Sequence, residues 1–507
     1  MVVRFSSDSP VRVRFAPSPT GALHLGSAFV ALANAAWARG SEGALVLRID
    51  DTDQQRSHDR DVADLLRLVR WLGIEWDEGP IYQSRRADIY RSALDRLLQL
   101  DGAGAYPCFC GVARIDELRA AQVAAGEPPR YDGRCRRLPK DEVDAALASG
   151  APHVLRFAVP EGRDVTFEDL VHGEVTFPAG SFGDPVLCRA DGSAGYLLAS
   201  VVDDIDLGIT HVIRGEDHLA NSARQLLLFE ALKAPALPAF AHLPLLRDTD
   251  GRKLSKREPL GTLDELVDEG FLPVTVRRYL AELLGQDAID LLSGSDDQGE
   301  RFALSRISTG APRVDRTRLE SLGREDIAAL SLEQLLEGTE LVASDQIAPI
   351  VMEIAAASPS RVALRGELRL VFDGPGAGDL PHVIDIAMPA PETRVTANAA
   401  LDLAVVALRE AIAKDVADAK DSKGVAVADD GWAAVMLASY RAAGKEKGMG
   451  TRDVLRPLRI ALTGSIGGPG LGLVLRAIGA REALRRVHVA QMVLDEVQEG
   501  GNHAVGG

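Results

Sequence analysis

The sequence lacks the features that would place a chain of this length in a membrane or outside the cell. It contains no apolar run near the ~18 residues that a membrane-spanning helix needs, so we expect no membrane partner. Four cysteines among 507 residues are too few for a disulfide framework, which favours a reducing environment. The first residues, MVVRFSSDSP, are too short and broken for a signal or transit peptide. We therefore expect a cytoplasmic globular protein of about three or four domains.

An excess of positive charge is also missing. Lysine and arginine number 57 against 74 aspartates and glutamates, and the formal net charge is −17. Over the whole chain this balance argues against a nucleic-acid partner. Contact with RNA, however, needs only a local basic face and side chains that read bases. The net charge therefore neither supports nor excludes such a partner.

The most informative stretch is residues 11–53. An alternating run that ends at Phe15 predicts a strand, and the Pro/Gly turn of residues 16–21 cannot be helical. His24 opens an apolar, Ala-rich helix that ends near Gly40, and residues 43–49 predict the next strand. This order is half of a nucleotide-binding fold, with the helix start aimed at a phosphate site. The turn nevertheless lacks both the GxGxxG pattern and the GKS or GKT of a P-loop.

Two short motifs carry side chains suited to a nucleotide. In His24-Leu25-Gly26-Ser27, the imidazole adds a donor to the helix N–H groups, and the glycine leaves room for a base or ribose. An isolated histidine there would more often be a surface helix cap. The second motif, GRKLSKR at 251–257, has the composition of a mobile basic loop that could grip a triphosphate from the opposite side. The two motifs together make a nucleotide site the better interpretation.

These two motifs resemble the signatures of class I aminoacyl-tRNA synthetases. The flanking words narrow the resemblance to the bacterial-type glutamyl-tRNA synthetase family, and they keep the family's order along the chain. They are RFAPSPTG (14–21), DEGPIYQSRR (77–86), YDGRCR (131–136), VVDD (201–204), GITHVIRGEDHLANSARQ (208–225), HLPLL (242–246) and RPLRIALTG (456–464). The resemblance implies a Rossmann-like α/β catalytic domain with an α+β insertion, followed by a mostly α-helical C-terminal region.

The resemblance also suggests a division of the chain into five segments. They are a first catalytic half (1–90), an insertion for the tRNA acceptor end (91–194), a second catalytic half (195–235), a stem-contact region with the KLSKR loop (236–314) and a helical anticodon-binding region (315–507). Residues 196–202 have the pattern of a buried strand, and so do residues 210–213. Relatives usually carry a Trp-Leu-Asn-like stretch where this chain has RTRLESLG near 315–323, so no anticodon contact is assigned. A helical domain for dimerisation or another partner stays open.

The implied reaction joins glutamate to ATP as an acyl-adenylate and then transfers the acyl group to the 3′ end of tRNA(Glu). Such catalysis rests on positioning and on stabilising charge at the phosphates, and Mg²⁺ accompanies the ATP. By resemblance, His24, Lys253 and Lys256 are catalytic. The ATP-binding residues would be His24, Gly26, Ser27, Lys253, Ser255 and Lys256. The alternative for Lys253 and Lys256 is a solvated basic turn without a catalytic role. The protein is expected to be a monomer.

Glutamate-binding roles follow from the same resemblance, for Arg14, Ser18, Asp50, Tyr196 and Arg214. Arg214 would make a bidentate contact with the side-chain carboxylate and would reject the amide of glutamine. The alternative is a strand-end arginine paired with Glu216 or Asp217. Asp50 would bind the α-ammonium, unless it merely caps the following turn. Relatives often have Asn where this chain has Ser200, which leaves that contact unassigned.

Cys108, Cys110, Tyr131 and Cys135 resemble a structural zinc site found in part of the family. Thiolates suit Zn²⁺, but Cys-x-Cys is a tighter spacing than the usual Cys-x₂-Cys, and phenolate is an uncommon ligand. Zinc-holding relatives often place a histidine where this chain has Arg137. A zinc-free remnant with buried thiols stays open as the alternative. Cys188 lies among strand-like residues and is predicted to be a core thiol.

Several rival functions are compatible with parts of the sequence. Glutaminyl-tRNA synthetases typically carry a FPPEPNG-like turn. This chain has FAPSPTG at the same place, which argues against that function. A shorter paralogue that glutamylates queuosine in tRNA lacks the C-terminal region, and small nucleotidyltransferases with HxGH loops are shorter and lack KLSKR. Two alternatives stay open. One is an enzyme that also glutamylates tRNA(Gln), and the other is a catalytically dead tRNA-binding paralogue.

Overall fold

The computed structural model describes residues 10–503 apart from residues 20, 22, 53–58, 101–103, 179, 255–259, 286–291, 293–301, 345–346, 376–379, 389 and 422–430. The chain forms two compact units. The first comprises Met1–Asp268 with Pro273–Leu319, and the second comprises Glu269–Leu272 with Glu320–Gly507.

The described strands form two sheets in the first unit. They are Arg12–Phe15 (β1), Ala44–Ile49 (β2), Glu78–Tyr82 (β3), Ala105–Cys108 (β4), Val154–Phe157 (β5), Val165–Asp169 (β6), Gly173–Phe177 (β7), Val186–Cys188 (β8), His211–Gly215 (β9) and Ala239–Leu243 (β10). The larger sheet has the order β3-β2-β1-β9-β10-β6-β7 and is parallel except for the pair β6 and β7. The smaller, antiparallel sheet has the order β4-β5-β8.

Helices connect these strands and make up the described regular structure after residue 315. They are Leu25–Gly40 (α1), Asp59–Trp71 (α2), Ala87–Leu98 (α3), Val112–Ala124 (α4), Lys140–Ala148 (α5), Tyr196–Asp206 (α6), Leu219–Ala231 (α7), Leu263–Asp268 (α8), Pro273–Leu283 (α9), Arg316–Ala328 (α10), Leu332–Leu336 (α11), Ala348–Ala357 (α12), Arg361–Phe372 (α13), Leu380–Ala387 (α14), Pro391–Asp421 (α15), Trp432–Glu446 (α16), Thr451–Thr463 (α17) and Leu471–His503 (α18). Short 3₁₀ turns occupy Gln83–Arg85, Cys135–Arg137, Glu216–His218 and Leu304–Arg306. No described helix is long and apolar enough to span a bilayer.

The predicted strand–helix–strand at the start of the catalytic region is confirmed by β1, α1 and β2. Helix α1 begins directly after His24, which is its N-cap, and it ends at Gly40. Most of its small apolar side chains are buried, because a helix that packs on a parallel sheet is covered on its inner face. The chain therefore delivers the HLGS motif to the carboxyl end of β1.

The sheet order places a topological switch point between β1 and β9. The chain runs outward from β1 through β2 to β3, and it later returns to pair β9 with the other side of β1. In open α/β sheets, ligands bind beyond the carboxyl ends of strands at such a point. The sheet also includes β10, which lies past residue 235, and β6 and β7, which lie within 91–194. The five segment boundaries themselves stay predictions.

Residues 196–202 form the start of α6, so the strand predicted there is wrong. The run Tyr196–Val202 is apolar almost throughout, and periodicity alone does not separate a buried strand from a buried helix. The helix is buried because it packs in the core of the first unit with α3 and α7. As a consequence, Asp203 and Asp204 lie inside the protein at 0% and 3% exposure.

The described part of the second unit is helical, as the resemblance implies for the C-terminal region. Its apolar core is formed mainly by α12 to α18. Tyr440 is buried, and its hydroxyl donates to the Val454 carbonyl at 2.6 Å. Helix α18 is interrupted at Gly479, whose φ of 77° is open to glycine at little cost. The predicted fold class is confirmed.

Candidate active site

A cleft of about 410 Å³ opens at the carboxyl ends of β1 and β9, at the switch point of the sheet. The predicted ATP and glutamate residues that the structure describes all line it: Arg14, Ser18, His24, Gly26, Ser27, Asp50, Tyr196, Arg214 and Lys253. Ser255 and Lys256 lie outside the described residues. The fold thus brings together residues that are far apart in sequence, and their individual roles stay predictions.

His24 is both a helix cap and part of the cleft wall. Its Nδ1 accepts the Gly26 N–H at 2.9 Å, so a neutral ring carries its proton on Nε2, which lies 3.1 Å from the Leu254 carbonyl oxygen. The capping role considered for an isolated histidine is therefore present together with the predicted position in a nucleotide site. The bond to Leu254 also connects the HLGS motif with the basic KLSKR stretch.

Lys253 faces an acid across the cleft. Its Nζ lies 3.2 Å from Oδ2 of Asp217, and 62% of its side chain is exposed. Arg252, the preceding residue, instead pairs with Asp248 and Asp250 outside the cleft. An exposed ion pair of this kind contributes little stability, so Lys253 can exchange Asp217 for a stronger anion at small cost.

Arg214 is a buried cation whose hydrogen-bond partners are all uncharged groups. The residue is 6% exposed, and its guanidinium donates to Tyr196 Oη (3.3 Å), His218 O (3.4 Å), Ser222 Oγ (2.5 Å), Gln225 Oε1 (2.6 Å) and His242 Nε2 (3.2 Å). Burial lowers the pKa of Arg214 from its ordinary value. Across the part of the chain that the structure describes, no carboxylate lies within ion-pair distance of this guanidinium.

The alternative partners of Arg214 are engaged elsewhere. Glu216 accepts the Leu245 N–H at 3.1 Å, and Asp217 pairs with Lys253. The alternative of a strand-end arginine paired with either acid is therefore wrong. Arg214 remains directed toward the cleft with its positive charge uncompensated by these neighbours.

Sequence reasoning missed the side chains that hold Arg214. Ser222 and Gln225 project from the same face of α7, three residues apart, and His242 lies on β10. All three lie in sequence stretches that resemble the family, GITHVIRGEDHLANSARQ and HLPLL. The sequence therefore marked these residues, but it did not indicate that they bind Arg214. Ser200 does not line the cleft; its Oγ accepts from Nε2 of Gln225 at 2.8 Å and so orients the amide that binds Arg214.

Asp50 sits in the cleft wall but is paired with a buried arginine. Nε and Nη2 of Arg48 bond to its two carboxylate oxygens at 2.7 and 3.2 Å, and Arg48 is 1% exposed. Burial raises the pKa of Asp50, and Arg48 acts in the opposite direction. The sequence suggested a turn cap or an ammonium ligand. The structure adds a third function, the neutralisation of Arg48.

Arg14 and Arg48 share a buried acid. Oδ1 of Asp204 lies 2.7 Å from Nη1 of Arg48 and 3.3 Å from Nε of Arg14. The adjacent Asp203 binds Arg86 at 2.7 Å and accepts from the Tyr90 hydroxyl at 3.0 Å. These acids of the VVDD word therefore serve to fix cationic side chains under the cleft.

Tyr196 and Ser18 complete the wall in different ways. The Tyr196 hydroxyl lies between Nη1 of Arg214 and Nδ1 of His218, at 3.3 and 3.2 Å. Ser18 is exposed in the turn after β1. Tyr196 is thus placed to contact whatever Arg214 binds, whereas Ser18 lies at the solvent side.

Three thiols and a phenol meet in the insertion. The sulfurs of Cys108, Cys110 and Cys135 lie within 4.8 Å of one another, and those of Cys110 and Cys135 are 3.5 Å apart. Tyr131 Oη lies 3.4 Å from Cys108 Sγ and 3.5 Å from Cys110 Sγ. Zn–S bonds of about 2.3 Å in a tetrahedron separate sulfurs by about 3.8 Å. The three sulfurs therefore have the chemistry and spacing of zinc ligands, and zinc binding itself stays a prediction.

Contacts of Tyr131 and Arg137 concern the choice of a fourth zinc ligand. Tyr131 Oη accepts the Cys135 N–H at 2.9 Å, and burial raises the pKa of this phenol. Arg137 donates to the Asp132 carbonyl oxygen and so does not face the sulfurs. Cys188 is a buried thiol in the core of the first unit, as predicted.

Comparison with known proteins places the chain among tRNA synthetases. Residues 10–320 match the family model for the catalytic domain of class I tRNA synthetases (E and Q), and residues 426–491 match an anticodon binding domain. The chain is 37% identical to a glutamate–tRNA ligase of Synechococcus sp. over 94% of this chain and 99% of that protein. It is 36% identical to glutamate–tRNA ligase 1 of Halorhodospira halophila over 97% and 98% of the two chains.

A solved structure shows the same architecture. The glutamate tRNA ligase of Elizabethkingia meningosepticum, determined in complex with its amino acid, superimposes with a TM-score of 0.69 at 26% identity, covering 96% of this chain and 100% of that one. The resemblance identified from the sequence words is confirmed. This chain belongs to the class I glutamyl-tRNA synthetase family.

Proposed function

We propose that this chain activates L-glutamate with ATP and transfers the glutamyl group to the 3′ end of tRNA(Glu). The observation that carries the proposal is Arg214, a buried guanidinium without a carboxylate partner among the described residues, in the same cleft as the HLGS helix start. A buried charge is costly unless an opposite charge compensates it. The side-chain carboxylate of glutamate supplies that charge.

The contact between Arg214 and glutamate differs from the bidentate one expected from the sequence. Its Nε–H and both Nη2–H groups are used by His242, Ser222 and Gln225, and one Nη1–H bonds to Tyr196. A guanidinium has five N–H groups, so one remains for a ligand. In this arrangement one N–H and the neighbouring Tyr196 hydroxyl would bind the carboxylate together.

The remaining groups of glutamate would bind other residues that line the cleft. The α-ammonium would lie against Asp50, and Arg14 and Ser18 would face the α-carboxylate end. Asp50 can accept an additional donor because each carboxylate oxygen has two lone pairs, and Arg48 uses one on each. The α-carboxylate is then free to act as the nucleophile.

The first step needs positioning rather than a protein nucleophile. An α-carboxylate oxygen attacks the α-phosphorus of ATP, the bond to the β-phosphate breaks, and pyrophosphate leaves. Lys253 and the positive end of the α1 dipole would stabilise the charge that grows on the phosphates, and His24 would join them by turning its Nε2–H from the Leu254 carbonyl to a phosphate oxygen. Lys256 and Ser255 would join them from the KLSKR stretch. Mg²⁺ would accompany the nucleotide and neutralise its phosphates.

The second step passes the glutamyl group to RNA. The terminal ribose hydroxyl of tRNA attacks the adenylate carbonyl carbon, and AMP leaves with its electron pair. The insertion would hold the acceptor end, and the helical region would contact the anticodon. A zinc ion bound by Cys108, Cys110, Cys135 and Tyr131 would stiffen the insertion. We further propose a cytoplasmic monomer.

The test measures glutamylation by the purified chain. ATP, glutamate and tRNA(Glu) should give ester-linked glutamate. Lys253→Ala should lower the adenylation rate by about 10²-fold with little change in glutamate affinity, because the lysine acts on developing phosphate charge. Arg252→Ala is the matched control, since Arg252 does not line the cleft.

The outcomes separate the alternatives. Equal charging of tRNA(Gln) would establish the broader tRNA specificity. Binding of tRNA(Glu) without adenylate formation would identify a catalytically dead paralogue and overturn the proposal. A Lys253→Ala variant that loses glutamate affinity as much as turnover would overturn the role of Lys253.

A further inference from the structure

Arg214 is held from behind by two residues that the proposed reaction does not use. Nε of Arg214 donates to Nε2 of His242 at 3.2 Å, and Nδ1 of His242 lies 2.6 Å from Oδ2 of Asp169. His242 is 0% exposed and Asp169 is 2% exposed, and neither lines the cleft. A buried aspartate, a histidine and a ligand-facing arginine thus form one line of hydrogen bonds.

The strand register places these residues together. His242 on β10 is the register partner of Arg214 on β9, and Asp169 at the end of β6 pairs with Phe240, two residues before His242. Paired residues of neighbouring strands project from the same face of a sheet. The line of contacts is therefore built into the sheet rather than into a loop.

Asp169 determines which nitrogen of His242 carries the proton. Oδ1 of Asp169 accepts the backbone N–H groups of residues 171 and 172 at 3.0 Å and that of His242 at 3.3 Å, so Oδ2 is the oxygen that faces Nδ1. A carboxylate accepts and does not donate, so Nδ1 is protonated and the lone pair of Nε2 faces both Nε of Arg214 at 3.2 Å and the Ser222 hydroxyl at 3.0 Å. Burial lowers the pKa of His242 to about 4, which keeps the ring neutral near pH 7.

We infer that Asp169 and His242 are a positioning pair that holds Arg214 in one orientation and thereby makes the site select glutamate over glutamine. The inference rests on the proposed function, which gives Arg214 its ligand. With Arg214 fixed, its remaining N–H and the Tyr196 hydroxyl both donate to the ligand, so one of these donors faces the NH₂ of glutamine whichever way the amide turns, and buried donors that face each other are a strong basis for rejection. If the guanidinium could turn, the energetic penalty for binding glutamine would be smaller.

Asp169→Asn tests the pair with a minimal change of shape. The amide oxygen can keep the three backbone bonds, so the NH₂ group is left facing Nδ1 of His242. The proton of His242 then moves to Nε2, where it can bond to Ser222 Oγ, which lies 3.0 Å away. The Nε–H of Arg214 is left without its acceptor. The variant should fold, because the backbone bonds to residue 169 are kept and the hydrogen bond between His242 and Ser222 only reverses its direction.

The expected result is a selective loss in the recognition of glutamate. In glutamylation of tRNA(Glu) at saturating tRNA, the KM for glutamate should rise about 10- to 100-fold, which is the range for a buried donor left unpaired. The KM for ATP should not change. The ratio of the inhibition constant of glutamine to the KM for glutamate should fall by about 10-fold or more.

Two further measurements distinguish positioning from a merely structural role. NMR of ¹⁵N-histidine-labelled protein should show the His242 proton on Nδ1 in the wild type and on Nε2 in Asp169→Asn. His242→Gln, whose amide oxygen can take the place of Nε2, should retain more discrimination than His242→Leu. Asp184→Asn is a matched control, since Asp184 is also a buried aspartate with a backbone N–H bond but lies away from the cleft.

The inference is overturned if Asp169→Asn lowers turnover or melting temperature while the glutamate KM and the glutamine ratio stay at wild-type values. It is also overturned if the KM rises while the proton remains on Nδ1. A wild-type protein that does not glutamylate tRNA(Glu) would instead refute the proposed function, and the NMR comparison would still report on the histidine. The two failures are therefore distinguishable.

Discussion

At the scale of single residues, Gly26 leaves His24 just enough room to cap α1. A Cβ at position 26 would lie 3.1 Å from Nδ1 of His24, which is tighter than an ordinary contact. We expect Gly26→Ala to shift the imidazole by a few tenths of an ångström and to lower kcat/KM for glutamylation about 10-fold. The melting temperature should stay equal or rise, because alanine is favoured over glycine in helices by up to about 1 kcal/mol.

A matched variant separates the two effects. Gly366 lies inside α13, and a Cβ there meets nothing within 4 Å. Gly366→Ala should raise the melting temperature without changing kcat/KM. An active Gly26→Ala enzyme with wild-type kcat/KM would show that the position of the His24 ring is unimportant.

Asp50 combines two demands on one carboxylate, a ligand contact and the pair with Arg48. We expect Asp50→Asn to lower kcat/KM for glutamate by about 10²-fold, because a bound ammonium would lose its buried counter-charge. The melting temperature should also fall, since the buried Arg48 loses the negative charge of Asp50 and keeps Asp204 at 2.7 Å and Asp203 at 3.7 Å. Asp50→Glu should retain substantial activity in the same assay. Full activity combined with early melting in Asp50→Asn would show that the residue serves Arg48 alone.

The sequence predicted the ligand-facing residues better than the residues behind them. Arg214 was found because it follows a strand and lies in a family word, and the cleft contains it. The partners Gln225 and His242 could not be assigned, because they meet Arg214 through helix α7 and the register of β10. Such contacts depend on three-dimensional packing that no spacing along the chain reveals.

At the scale of elements, the sequence was reliable where local signals were strong. Strand β1, helix α1 and strand β2 follow from the Pro/Gly turn and the Ala-rich run. Residues 196–202 of helix α6 were mistaken for a strand, because a short apolar run has the same pattern in a buried helix as in a buried strand. The order of strands in the sheet could not be predicted from the sequence, since β6 and β10 pair across about 70 residues.

The thiol cluster joins β4 to the 3₁₀ turn at Cys135–Arg137, and it yields a prediction about metal content. Protein purified without added metal should contain about one zinc per chain, by the four-ligand rule of structural sites. Cys135→Ser should lose it, whereas Cys188→Ala should keep it because Cys188 lies in a separate core. Elemental analysis decides the matter. A value near zero in the wild type would establish a zinc-free cluster.

Helix α18 contains an acid whose ion pairs stabilise the second unit. Hydrogen bonds from Arg485 and Arg486 lower the pKa of Glu482 to about 2 from its ordinary 4.5. Because the folded-state pKa is depressed, this stabilisation is present above pH 4.5 and is lost as the pH falls toward 2. Glu482→Gln should therefore melt earlier than the wild type at pH 7, and the difference should narrow below pH 4.5.

The reason for that effect is the burial of Arg486. It is 3% exposed, and its other donors bond to the carbonyl oxygens of Val371, Phe372 and Leu462. Glu410→Gln on the exposed face of α15 is the control and should not change the melting temperature. An unchanged difference between wild type and Glu482→Gln from pH 7 to pH 3 would contradict the ion-pair account.

At the scale of the whole molecule, the chain combines a catalytic unit with a helical unit. The first contains the cleft at the switch point of its sheet, and the second contains the residues that match an anticodon binding domain. The net charge of −17 did not predict this combination, because global charge does not report on local faces. Recognition of both an amino acid and an RNA is what such an arrangement allows.

The most direct test of the account is the attachment of radiolabelled amino acid to purified tRNA by the full-length protein. With ATP and tRNA(Glu), we predict transfer of glutamate to the 3′ end and no transfer of glutamine at the same concentration. The reaction should stop when ATP is omitted. Transfer of glutamine as efficient as that of glutamate, or no transfer of either amino acid, would contradict the assignment of Arg214 as the residue that recognises the glutamate side chain in a working synthetase.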